Sequence, residues 1–249
     1  YIAGKMMLVR AIVLGLELDI VEPTTNPIFD YQKHYDFCAM IPVQVEKTLH
    51  RIHNIKTLIV GGATVSFSLK EKLQDLKIKV FETYGMTETI THIAVKQING
   101  KTQDYFKTLP NVTISQNKKD CLVIDAPQLT SSKIETNDVV KLHSKTTFEW
   151  LGRSDNVINS GGVKLFPEQI EAKLQSKINT RFFITSEKDK TFGEIAILVL
   201  EAENNALNTD VFSNLTSIET PKKVYAIPSF IETASGKINR SKTMQLFKK

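Results

Sequence analysis

The stretch VFETYGMTETITH (80–92) ends an apolar, β-branched run on Gly85 and then presents hydroxyls and a single carboxylate. In an open α/β sheet, ligands collect outside the carboxyl ends of strands. Gly85 would let a backbone turn lie directly against a ligand. Thr87 is suited to donate to a phosphate oxygen. Glu88 is suited to hold Mg2+, a hard cation that takes one or two carboxylates together with phosphate oxygens. A capped strand end with a solvated glutamate accounts for the same residues, so spacing alone leaves both readings open.

Other stretches carry comparable chemistry. GGAT (61–64) follows a second apolar run, and its paired glycines could bring backbone amides close to a flat ring or an anion, or simply form a βα turn. In ETASGKINR (232–240), Lys237 follows Ser235-Gly236. The first glycine and the strand–loop–helix setting of a phosphate-binding P-loop are missing. A lysine on a glycine loop can still neutralise developing phosphate charge, or be solvated. Arg153 in LGRSD offers a fork for hydroxyl or phosphate oxygens, and Asp138 in TNDVV could accept both hydroxyls of a ribose. Each also has a plain surface alternative. The five histidines show no pairwise metal spacing; His50 and His53 read as one exposed helix face. No nucleophile elbow appears.

These residues need a framework, and the pattern supplies one. Residues 4–17 have helical apolar spacing, 18–21 read as a short strand, and 42–52 are helical. KTLIVGGA (56–63) is a buried strand running into a glycine turn. SLKEKLQDL (68–76) is an amphipathic helix that Ser66 or Ser68 could cap, and IKVFETYG (78–85) is the next strand. Strand–helix–strand spacing of this kind marks a βαβ unit. From about 91 to 151 the pattern is all strand, fitting a meander or small barrel. Residues 152–167 read as a linker and tight turn. Pro167 opens a helix, strands follow near 180–185 and 194–200, and a helix near 210–217, a strand near 223–227 and a terminal helix from 241 complete the chain. The expected fold is thus α/β plus α+β: a partial large α/β domain with a small β-rich subdomain, residues 1–153, then a mobile C-terminal α+β domain, residues 154–249.

Composition narrows the function classes. With 249 residues, 41% hydrophobic and 24% charged, the chain is long enough for a real core. A net charge of +5 suits anionic small molecules. The basic residues are scattered, so no nucleic-acid arm is expected. The apolar run MMLVRAIVLGLELDIVEP is broken by Arg10, Glu17 and Asp19, which excludes a membrane span, and it lacks a signal-peptide layout. Cys38 and Cys121 are far apart, as expected of buried thiols in a reducing, cytoplasmic setting. The oligomeric state, including a homo-oligomer, is left open.

Taken together, YGMTET (84–89), ND (137–138), LGRSDNVINSGGVKLFPEQIE (151–171) and SGKINR (235–240) resemble, in order and approximate spacing, the motifs of the acyl-adenylate-forming superfamily. The likeness runs from near the N-terminus to about residue 247 and looks most like the o-succinylbenzoate–CoA ligase branch of menaquinone biosynthesis. The resemblance implies ATP, Mg2+ and CoA as reactants and cofactor, with a small-molecule carboxylate as substrate. It implies Thr87 at the AMP phosphate and Glu88 at Mg2+. Gly61, Gly62 and Ala63 would line the adenine and acyl pocket, with Tyr84 and Gly85 beside the nucleotide. Asp138 and Arg153 would hold the ribose, Asp155 would be the hinge, and Lys237 would act in adenylation. Gly161 and Gly162 would swing in beside the pantetheine channel for thioester formation. Thr89, Thr91 and His92 would border the acyl pocket.

The chain departs from that pattern in places. The superfamily's glycine-rich phosphate loop has no counterpart here and is expected upstream of Tyr1, so these residues read as the C-terminal two-thirds of an enzyme, without the part that grips the β- and γ-phosphates. YIAG (1–4) holds Tyr1 where the related motif usually carries histidine, and GGVK stands where close relatives have GGEN. The other readings are a different acyl substrate (aryl, fatty or acetate) or a nucleotide-binding, carrier-loading module with no CoA chemistry.

Overall fold

The computed structural model describes residues 2–30, 32–101, 103–205, 207–233 and 238–248. It divides into two compact units, residues 1–136 with 140–150, and residues 137–139 with 151–249.

The first unit opens with helix α1 (Ile2–Leu14), which is apolar on nearly every side and carries one guanidinium, Arg10. Strands β1 (Tyr35–Met40), β2 (Ile55–Val60) and β3 (Lys79–Gly85) are parallel neighbours. Helices α2 (Pro42–Thr48) and α3 (Phe67–Leu73) form the crossovers. Leu58 and Val60 of β2 and Val80 and Glu82 of β3 are buried and alternate with more exposed neighbours, so these strands bury mainly one face. Ser66 caps α3 by accepting the Leu69 N–H at 3.2 Å, as its sequence position suggests. Leu58, Val60, Val80, Leu69 and Leu73 are fully buried between sheet and helices. Strand β4 (His92–Gln97) turns the sheet antiparallel.

The expected run of strands then continues the same sheet. Strands β5 (Phe106–Thr108), β6 (Thr113–Gln116), β7 (Cys121–Asp125), β8 (Ile134–Ser144) and β9 (Thr147–Arg153) join it in the order β4-β5-β9-β8-β7-β6. Strands β6 to β9 are thus a meander, fused through β5 to the α/β half rather than closed into a separate barrel. A second core forms around the stacked rings of Phe106 and Phe148.

The second unit is a five-stranded sheet. Strands β10 (Ile158–Ser160) and β11 (Val163–Leu165) form a hairpin. Beside it run β12 (Phe182–Asp189) and β13 (Gly193–Glu201), with β14 (Lys223–Ile227) parallel to β13. Helix α4 (Pro167–Leu174) starts on Pro167 as predicted, and α5 (Arg240–Met244) lies near the end of the chain.

Three local expectations are corrected. Residues 18–21 form no strand; Asp19 takes Lys33 at 3.0 Å and the Tyr35 hydroxyl at 2.8 Å, so side-chain bonds hold the segment without a ladder partner. Residues 210–217 make only a 3-10 turn over Thr209–Phe212, because the N–H and hydroxyl of Thr216 both bond Glu219 and divert the backbone. Part of the expected linker, 158–165, is the β10–β11 hairpin.

Candidate functional site

The sites predicted from sequence fall into two groups, one in each unit. In the first, parallel strands β2 and β3 end side by side. Gly61 approaches Thr83 so closely that a Cβ on it would run into Thr83 Oγ1, and Gly62 has a φ of +82° that favours glycine. The loop from 61 to 64 is held at both ends: the Gly61 N–H donates to Met40 O at 3.1 Å and the Val65 N–H to Glu82 Oε1 at 3.3 Å. Gly61 therefore lies against Thr83, the residue that leads into Tyr84 and Gly85, while residues 62–64 are exposed.

Beyond β3 the chain makes a tightly specified turn. A bulge separates Tyr84 from Gly85, and a Cβ on Gly85 would lie 2.5 Å from the His92 Cα and the Thr91 carbonyl. Thr87 and Glu88 are exposed on a one-turn 3-10 helix. Thr89 is buried: its hydroxyl accepts the Met86 N–H at 3.0 Å and lies 2.8 Å from the Thr91 carbonyl. These bonds hold Ile90 at φ 64°, ψ −46°, a conformation that a β-branched residue adopts only when its surroundings impose it. Thr89 thus shapes the turn. Tyr84 packs its ring against Phe106 and Phe148, at 5.8 and 5.2 Å between centroids.

Thr91 and His92 gain a partner that sequence reasoning missed. Arg10 of α1 donates from Nη2 to Thr91 Oγ1 at 2.9 Å, and Thr91 Oγ1 lies 3.4 Å from His92 Nδ1. Burial, and then the Arg10 charge, push the His92 pKa down. The signal for Arg10 was a guanidinium set within a mostly apolar helix whose other charge is Lys5.

Glu88 fits a Mg2+ site only with outside help. Among the described residues no group of three or more His, Cys, Asp or Glu could hold a metal. A lone exposed carboxylate matches an ion whose remaining ligands are phosphate oxygens and water.

In the second unit, Asp138, Arg153 and Asp155 come together. Arg153 reaches Asp138 at 3.5 Å through Nη1 and Asp155 at 3.6 Å through Nη2, and Asn137 donates to Asp155 at 3.3 Å. The Asp138 side chain is 9% exposed, whereas Arg153 and Asp155 face an open cleft of about 470 Å³ that Asn156, Thr233, Asn239 and Arg240 also line. Gly161 and Gly162 are held elsewhere in the unit. Their φ values of 57° and 83° form the two-residue turn between β10 and β11, and the Gly161 N–H donates to Phe192 O at 2.8 Å. Lys237 lies outside the described residues, in the segment flanked by Thr233 and Ile238.

The chain as a whole is similar to known proteins. No protein-family model matches the chain. Among solved structures it is 34% identical to an acyl-CoA synthetase (AMP-forming)/AMP-acid ligase II-like protein from Dyadobacter fermentans, covering 99% of this chain and 75% of that one, with a TM-score of 0.58. The chain belongs to the acyl-adenylate-forming ligase superfamily. Within this superfamily it is 23% identical over 224 residues to 2-succinylbenzoate–CoA ligase of Lactococcus lactis, covering 81% of this chain and 50% of the relative. Over 260 residues it is 22% identical to the Escherichia coli K12 ligase of that name, covering 96% and 56%. The chain therefore spans about half the length of these curated relatives. The fold also matches o-succinylbenzoate coenzyme A synthetase from Bacillus subtilis, in complex with ATP and magnesium ion, at a TM-score of 0.79 and 17% identity, covering 98% of this chain and 59% of that one. Among the described residues no helix is long and apolar enough to cross a membrane.

Proposed function

We propose that these residues belong to an ATP-dependent acid–thiol ligase that makes an acyl-CoA through an acyl-AMP, with o-succinylbenzoate as the acid. The observation that carries this reading is the side-by-side ending of β2 and β3, which sets Gly61 against Thr83, four positions before Thr87 on the strand that leads into the turn bearing Thr87 and Glu88. A flat ring could lie along the glycine loop while its phosphate meets the Thr87 hydroxyl. Glu88 would hold Mg2+, which when bound offsets phosphate charge.

The substrate carboxylate attacks the α-phosphorus of ATP, and pyrophosphate leaves. The CoA thiolate then attacks the acyl carbon, and AMP leaves. In this reading Gly61, Gly62 and Ala63 line the adenine and acyl pocket, Tyr84 and Gly85 border the nucleotide, and Asp138 and Arg153 receive the ribose hydroxyls. Residues 1–153 are the large-domain part and 154–249 the small mobile domain, with Asp155 as hinge. Lys237 neutralises charge at the carboxylate and α-phosphate during adenylation, and Gly161 and Gly162 border the thiol path in the second step.

The choice of o-succinylbenzoate is supported by Arg10. A guanidinium bonded to Thr91 and close to His92 is a ready counter-charge for a second carboxylate, which an aryl, fatty or acetyl acid lacks. A cytoplasmic setting accords with the two unpaired cysteines, Cys38 and Cys121.

The test is ATP–pyrophosphate exchange by the whole enzyme, with and without o-succinylbenzoate. Exchange stimulated by benzoate or a fatty acid instead would overturn the substrate. AMP release that does not depend on CoA would favour a carrier-loading module. Lys237→Ala should slow adenylation by about 10²–10³-fold, the scale for removing a preorganised charge-stabilising donor, and spare thioester formation from supplied acyl-AMP.

A further inference from the structure

Glu82 is a buried carboxylate in the first unit that none of these roles uses. Its side chain is 7% exposed. It sits on β3 between β2 and β4, paired in register with Val60 and Lys96. Oε2 lies 3.0 Å from Lys96 Nζ and 3.2 Å from Lys70 Nζ of α3, while Oε1 accepts the Val65 N–H. Lys96 Nζ also lies 4.5 Å from the centroid of the Phe106 ring, against which Tyr84 packs.

We infer that Glu82 is a positioning residue: anchored by Lys70 and Lys96, it pins the far end of loop 61–65 and so sets the wall against which the nucleotide and acyl group lie. This rests on the proposed role of that loop. One end of the loop is tied by a backbone bond to Met40, as the end of any strand in a sheet is. The other end has only the Glu82 carboxylate for its Val65 N–H. The carboxylate is itself immobilised by two ammonium groups from different elements. Burial opposes its ionisation, but Lys96 and then Lys70 outweigh that and hold its pKa below the ordinary glutamate value. A buried ion triad is a poor means of gaining stability, since apolar residues of similar volume usually do as well. What an apolar filling cannot do is accept the Val65 N–H. The same Lys96 ties Glu82 to the Phe106–Tyr84 rings, so both sides of the pocket share one anchor.

The apolar replacement separates positioning from stability. In the full chain, Lys70→Met/Glu82→Leu/Lys96→Met should keep the thermal midpoint and the hydrogen-exchange protection of β12 and β13. It should speed exchange across residues 61–65 by about tenfold, the scale of one lost hydrogen bond. Restoring the acceptor, with Gln in place of Leu at position 82, should return exchange to the wild-type rate. Unchanged exchange in the Leu variant overturns the inference. If that variant does not fold, Glu82→Asp keeps the charge but shortens the reach; it should loosen the same loop, and wild-type exchange there overturns the inference equally. AMP titration by calorimetry gives the second readout. Binding weakened about tenfold in the Leu variant supports the positioning role, and equal affinity overturns it. Failure of the wild type to bind AMP would strike down the nucleotide reading of the loop, while the exchange data would still decide whether Glu82 orders it.

Discussion

Arg10 and Thr91, 81 positions apart in the chain, meet through a 2.9 Å bond from Nη2 to Oγ1, and this bond places a guanidinium beside His92. The His92 pKa is lowered by burial first and by Arg10 second. The NMR titration midpoint of His92 should therefore fall below the ordinary value of about 6.5. Because the folded-state pKa lies below the unfolded one, the unfolded chain takes up the proton first as pH falls. Stability is thus lost as pH drops through and below that ordinary value. Arg10→Met should raise the midpoint without restoring it fully, since burial remains. Binding of a dicarboxylate should raise it too. An unchanged midpoint in Arg10→Met would remove Arg10 from the electrostatics of this pocket.

Two glycines should differ sharply in their tolerance of a methyl group. At Gly85 the added Cβ meets backbone atoms, 2.5 Å from His92 Cα and the Thr91 carbonyl, and backbone cannot step aside. Gly85→Ala should cost about 2–3 kcal/mol, at the upper end of overpacking effects. At Gly61 the obstacle is the Thr83 side-chain oxygen, whose rotation relieves the clash at the expense of its bond to Val60 O. Gly61→Ala should cost about 1 kcal/mol. Urea unfolding followed by the single tryptophan, Trp150, measures both, and equal losses would contradict the rigid Gly85 contact.

Glu171 should give the second unit a pH-dependent stability. Burial pushes its pKa up to about 7, against the opposing pull of Arg240 and the Ile184 N–H. A carboxyl whose folded pKa is raised contributes stability that is fully present below its unfolded pKa and lost as pH climbs through the folded one. The expected loss is of order 3 kcal/mol between about pH 4.5 and 7. Glu171 Oε1 accepts the Ile184 N–H at 2.7 Å, so exchange at Ile184, corrected for intrinsic rate, reports it directly. Glu171→Gln should flatten the profile over this window. A slope that survives in this variant would mean that another group carries it.

The Asp138–Arg153–Asp155 cluster makes a kinetic prediction. Asp138→Asn keeps the shape and removes the charge that faces Arg153 at 3.5 Å. If the pair receives ribose hydroxyls equally in ground and transition states, KM for ATP should rise about tenfold with little change in kcat. The whole enzyme in the pyrophosphate-exchange assay provides the measurement. A fall in kcat with KM unchanged would place Asp138 in the chemistry instead.

Much of the framework was legible in the sequence because its signals are local. The apolar run into Gly61-Gly62, a serine cap at 66 or 68 and the helix opening on Pro167 each depend on residues a few positions apart. The errors arose where distant partners intervened. Lys33 and Tyr35 claim Asp19 and leave 18–21 without a ladder, and Glu219 captures Thr216 and stops a helix before it forms.

The residue types able to meet a phosphate, a metal ion and a ribose were settled by the chain itself, since hydroxyl, carboxylate and glycine chemistry is carried within short motifs. Which of them meet was decided only in three dimensions. Gly61 lies against Thr83, Arg10 reaches Thr91, and Glu82 draws Lys70, Lys96 and Val65 together because parallel strands bring their ends, and the helices between them, to one place. Contacts across 12 to 81 positions depend on sheet order and register, and neither is written in any local pattern of residues.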